Sequence, residues 1–69
     1  MKFFVYLSIK TGIRYTWRHL AEAYRYSYGR YPHNEDLLMK IVEKIQSGLY
    51  QEVEVSEKEY FEIDRALPQ

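Results

Sequence analysis

Apolar and polar residues alternate along the first ten positions of the chain. Phe3, Val5, Leu7 and Ile9 fall on one side of an extended backbone, and Phe4, Tyr6, Ser8 and Lys10 on the other. A period of two, rich in aromatic and β-branched residues, predicts a strand over 2–10. Thr11-Gly12 is a turn signal that ends it. The period then lengthens. At about 100° per residue, Trp17, Leu20, Ala21, Tyr24 and Tyr28 share one helical face. The first helix is expected from residue 14 or 17 to residue 28, with Thr11 and Thr16 as rival N-caps and Gly29 as terminator. Tyr24, Tyr26 and Tyr28 also alternate with period two, so an extended last turn competes with the helix.

Asn34 is a good N-cap, followed by Glu35 and Asp36 where the helix dipole favours acids. Leu37, Leu38, Ile41, Val42 and Ile45 form the clearest amphipathic stripe, and Asp36–Lys40 is an i,i+4 pair in the favourable orientation. Gly48 stops this second helix. Leu49, Gln51, Val53 and Val55 then alternate with Tyr50, Glu52 and Glu54, which predicts a second strand with one solvated face. Ser56 and Glu59 have capping-box spacing for a short third helix, in which Tyr60, Ile63 and Leu67 face inward and Pro68 ends the run. The order β-α-α-β-α predicts a small α+β fold, one domain over residues 1–69. Its two-stranded antiparallel sheet packs one face against three helices. Two strands leave two open edges, so a homodimer paired through strand edges is expected.

Composition narrows this picture. A chain of 69 residues holds one domain. It buries only about 60% of its unfolded surface, so its stability is marginal. Without cysteine there is no disulfide and no thiolate metal site, which fits a reducing cytoplasm. The opening apolar run is broken by Ser8 and stopped by Lys10, with no cleavage-site pattern after it, so a signal peptide is not expected. No segment approaches the roughly 18 apolar residues of a membrane span, and no membrane partner is expected. The formal net charge of zero hides a strong asymmetry. Residues 1–34 carry six bases (Lys2, Lys10, Arg14, Arg18, Arg25, Arg30) and one acid, Glu22, a net of +5. Residues 35–69 carry four bases and nine acids, a net of −5. Neutrality therefore does not exclude an anionic partner.

The first helix is where this asymmetry becomes chemistry. Arg14 and Arg18 stand at its N-terminus, the end where the backbone dipole disfavours positive charge. With Arg25 they project along one ridge beside the apolar stripe. Either an anion sits there, or these arginines pair with the acidic half of the same domain. Tyr15, His19 and Tyr26 point away from the expected core, and Ser27-Tyr28-Gly29-Arg30-Tyr31 follows. Tyr, Ser, Gly and Arg make up the binding loops of antibodies, and Tyr and Arg are enriched at interface hot spots. A helix-turn-helix is not expected, because the second helix begins Asn34-Glu35-Asp36 and would meet DNA with acids. His19-x-x-Glu22 lacks the further carboxylates of a metal cluster. No serine has a triad-like setting, and three isolated glycines make no phosphate loop. Glu52, Glu54, Glu57 and Glu59 read as a solvated face or as the counter-surface to the basic half, and Phe61 as an interface residue or as part of a wide buried face against the first helix.

These features predict a small non-catalytic binding protein, an adaptor, inhibitor or regulator, with no cofactor and no metal. Its docking residues are expected to be Arg14, Tyr15, Arg18, His19, Arg25, Tyr26, Tyr28, Arg30 and Tyr31. A protein partner is expected first. The alternative is a nucleic acid held on the same basic-aromatic surface through its backbone, with little sequence preference.

Overall fold

Three strands and three helices are present in the computed structural model, which describes residues 1–68. Their order is β1 (Phe3–Ser8), β2 (Arg14–Tyr15), α1 (Trp17–Tyr28), α2 (Asn34–Gln46), β3 (Tyr50–Val55) and α3 (Glu57–Arg65). The sheet has three strands, not two, in the order β2-β1-β3, and both pairings are antiparallel. β2 escapes the pattern because two residues cannot show a period. Its position is set by the turn before it. Gly12 takes a positive φ of 75° and donates its N–H to Ser8 O at 2.8 Å, while Ser8 N–H reaches Ile13 O at 2.8 Å. Arg14 then pairs with Leu7 and Tyr15 with Tyr6.

Strand alternation sorts the side chains into two faces. Phe3, Val5 and Leu7, with their partners Val55, Val53 and Arg14, lie on one face. α3 covers it. The Phe3 ring lies 5.3 Å from that of Tyr60 and 6.0 Å from that of Phe61, Arg14 meets Glu59, and Val5 and Ile63 are buried. Tyr6, Tyr15, Ser8 and Tyr50 lie on the other face. The α1–α2 hairpin covers that one, burying Tyr6 with Leu37 and Ile41 and packing Trp17, Leu20, Ala21, Ile45 and Tyr50 around them. The expected single covered face is thus two. Tyrosine explains the difference: Tyr6 and Tyr50 supply an apolar body to a face whose polar tips suggested solvent.

Local signals explain the helix ends. Thr16 is the N-cap of α1, and Gly29 closes it at φ 77° with its N–H on Arg25 O at 2.7 Å. The last turn of α1, with Tyr24, Tyr26 and Tyr28, is helical. α2 starts one residue early. His33 holds the cap position without a side-chain bond, and Asn34 is already helical. Gly48 (φ 78°) donates to Ile45 O and Leu49 N–H to Lys44 O, the paired bonds of a Schellman motif. Ser56 Oγ accepts Glu59 N–H at 3.1 Å, while the Glu59 carboxylate goes to Arg14. Leu67, expected inside, lies past the end of α3 and is 82% exposed. Leu38 and Val42 also point to solvent. Among the described residues, no helix is long and apolar enough to cross a membrane.

The open edge of β3 is acidic. Ser8 N–H points to β2 and Leu49 O points to β1, so by alternation the free backbone groups of β3 belong to Tyr50, Glu52 and Glu54. Two copies paired antiparallel in full register here would set Glu52 against its own counterpart, and like charges directly opposite are unfavourable.

Three tyrosines titrate late. Burial pushes the Tyr6 hydroxyl up, with the Glu52 carboxylate adding to it. Burial also raises Tyr50, beside Tyr15, and Tyr60, beside Asp64. A raised folded value means this stability is complete below the ordinary tyrosine value of 10.0 and is lost as pH rises through the shifted ones. Stability measured by urea unfolding is therefore expected to fall in alkali as these hydroxyls ionise. In the same assay at neutral pH, Ile41→Ala should cost about 2–5 kcal/mol. Leu38→Ala, at a half-exposed site, should cost about 1 kcal/mol or less.

Candidate functional site

The basic ridge expected on α1 divides into two parts with different surroundings. At the N-terminus of α1 the cations meet acids of α3. Arg14 Nη1 lies 3.3 Å from Glu59 Oε2, and Arg18 Nε lies 3.1 Å from Asp64 Oδ2. Arg18 also donates to the Asp64 backbone oxygen and lies 4.0 Å from Glu22. Thr16, fully buried, donates its hydroxyl to Asp64 Oδ1 at 2.5 Å. Asp64 is thus the negative charge that the N-terminal dipole of α1 calls for, supplied by another helix because its own first turn holds no acid.

His19 belongs to the same structure. It is buried, where an exposed contact residue was expected. Its Nδ1 accepts Thr16 N–H at 3.1 Å, while Thr16 Oγ1 accepts His19 N–H at 3.4 Å, so the two residues cap the helix reciprocally. Nδ1 as acceptor leaves the proton on Nε2, which lies 3.1 Å from Asp64 O and 3.0 Å from Ala66 O. The imidazole stitches the start of α1 to the end of α3. The Thr16-x-x-His19 spacing carries this signal, but histidine is a rare stand-in for the Glu or Gln of a capping box.

Tyr15 is half-buried, and its ring stacks on Tyr50 at 5.9 Å. The remaining site residues gather at the far end of α1 and in the loop to α2. Tyr26 is 94% exposed, Tyr28 59% and Tyr31 55%. Arg25 holds its guanidinium 5.2 Å from the centre of the Tyr31 ring. The ion pairs among the described residues involve Arg14 and Arg18 but not Arg25, Arg30, Lys40 or Lys44. The expected Asp36–Lys40 pair does not form. Lys40 Nζ instead lies 5.3 Å from the Tyr28 ring centre and 5.9 Å from that of Tyr24, and donates to the Tyr28 hydroxyl at 3.4 Å. Lys40 and Tyr24 therefore join the aromatic-basic end. Neither stood out in the sequence, because Lys40 had a ready acidic partner at i−4 and Tyr24 sat on the core stripe. Phe61, 46% exposed, spends its ring on Phe3 and Tyr60.

Burial alone would push the Asp64 carboxyl up. The hydrogen bonds from Thr16 and Arg18, with the Arg18 charge and His19 beside it, hold it below its ordinary value instead. A lowered folded value means its stabilisation is complete above the ordinary value of 3.8 and is lost as pH falls through the shifted one. Asp64→Asn should flatten the acid limb of the stability curve below about pH 4. At neutral pH it should cost about 1 kcal/mol, a figure that allows for solvent around the half-exposed Arg18. Urea unfolding across pH measures both. Comparison with protein-family models, curated proteins and solved structures finds no match to this chain.

Proposed function

We propose that this chain is a small non-catalytic binding protein that docks an acidic surface of a protein partner through the loop end of the α1–α2 hairpin. The observation that carries this reading is the company kept by its free cations. Arg25, Arg30 and Lys40 have no ionic partner among the described residues, and they stand among the exposed rings of Tyr26, Tyr28 and Tyr31. Exposed tyrosines offer large contact area at low entropic cost. Arg25 over Tyr31 restrains two of the contact groups before a partner arrives, which lowers the ordering cost of binding. The unpaired positive charge supplies steering toward an acidic patch. The opposite end of α1, where Arg14, Arg18 and His19 hold α3, acts as the rigid mount.

A single-stranded nucleic acid would use the same rings for stacking and the same cations for phosphates. Salt separates the two. Backbone binding falls steeply with salt on a log-log plot, and each Arg→Ala change lowers the slope by about one. Protein docking depends on salt more weakly and loses about 2 kcal/mol or more at a central tyrosine. The test is affinity capture with wild type against Tyr26→Ala and Tyr31→Ala variants, scored for protein by mass spectrometry and for nucleic acid by absorbance. The expected result is a protein retained by wild type and lost by both variants, whose circular dichroism is unchanged. The same set of proteins on all three baits would sink the reading.

A further inference from the structure

A second feature of the hairpin adjoins the docking end and shares Tyr28 and Lys40 with it. A cleft of about 340 Å³ runs between α1 and α2, lined by Leu20, Ala23, Tyr24, Ser27, Tyr28, Leu37, Lys40, Ile41, Lys44 and Tyr50. Its side of α1 is not the side of Arg25, since Ser27 projects about 200° round the helix from it. The floor is aliphatic, from Leu20, Leu37 and Ile41, and the walls are tyrosine rings. Lys40 and Lys44 stand one turn apart on α2. Lys40 lies at the Tyr24 and Tyr28 rings and Lys44 Nζ 5.5 Å from the Tyr50 ring centre, with no ion pair to either among the described residues. Like charges at i,i+4 repel, and ring faces offset that only in part.

We infer that this cleft is a binding site for a small organic anion with a planar apolar body, such as an aromatic carboxylate. The anionic head sits between the two ammonium groups and removes their repulsion. The planar body lies on the aliphatic floor against the tyrosine rings. The volume falls at the small end of ligand pockets, which begin at about 300 Å³. The choice of a small anion over a second copy of the chain rests on the charges: the cleft is flanked by two cations that have no ionic partner among the described residues.

The probe is 2-naphthoate, titrated into the isotope-labelled protein and followed by backbone-amide shifts. Saturable shifts confined to the facing parts of α1, α2 and Tyr50 are expected, and the neutral 2-naphthamide should bind more weakly. Lys40→Gln and Lys44→Gln keep the stems that cover the rings, and each should weaken 2-naphthoate by about tenfold. Tyr26→Ala should leave it unchanged, so this site and the docking surface fail or stand separately. Equal affinity for the amide, unchanged affinity in the double lysine variant, or shifts that never saturate would each overturn the inference. So would shifts of the same residues on raising protein concentration alone, which would mark the cleft as a contact between copies.

Discussion

The carboxylate of Asp64 at the N-terminus of α1 is the contact on which the rest of the structure depends. It accepts from Thr16 and Arg18, and its backbone oxygen faces His19. These bonds link residues 45 to 48 positions apart. They join the last helix to the start of the first in a chain with no disulfide to do so. They also act where the backbone is most in need: the N–H groups at the start of α1 meet a negative charge, and the arginines beside them cease to oppose the dipole. With α3 held there, one face of the sheet is closed over Val5. The β2 segment, too short to be stable by itself, is kept in register between β1 and the N-cap.

This staple also decides how the charge asymmetry of the chain is spent. The −5 half supplies Asp64 and Glu59 to one end of α1, and so neutralises the cations that stand nearest its N-terminus. Among the described residues nothing equivalent reaches the other end. Arg25 and Arg30 project from the loop end of the hairpin, and Lys40 and Lys44 lean on tyrosine rings. One helix thus has a structural end and an uncommitted end, separated by about the length of its own 12 residues, some 18 Å.

Much of the fold was legible in the order of residues. The three helices, the two long strands and the glycine stops at Gly29 and Gly48 follow from periodicity and from φ values that only glycine adopts without strain. The candidate site was legible in part. Tyr26, Tyr28, Arg30 and Tyr31 lie exposed where composition placed them, whereas His19 is buried and Tyr15 leans on Tyr50. These two differ because a polar residue next to a helix start or on a short edge strand has no periodicity to announce which way it turns. Lys40 shows the converse. Its local pairing with Asp36 was sound as spacing, but two aromatic rings from another helix compete for the ammonium and hold it.

What the amino-acid order determined by itself was local: which segments coil or extend, where they stop, and that positive and negative charge are segregated along the chain. Tertiary structure alone decided which charges meet. An arginine at position 18 has no local cue that selects Asp64 over any of the nine other acids, because the choice depends on α3 crossing the sheet to the start of α1. It decided equally that both sheet faces are covered, since that requires knowing that the rings of Tyr6 and Tyr50 are buried while their hydroxyls stay near polar groups. Periodicity reports on neighbours within a few residues. The partition of this protein into a stapled end and an uncommitted end is set by contacts more than forty residues apart.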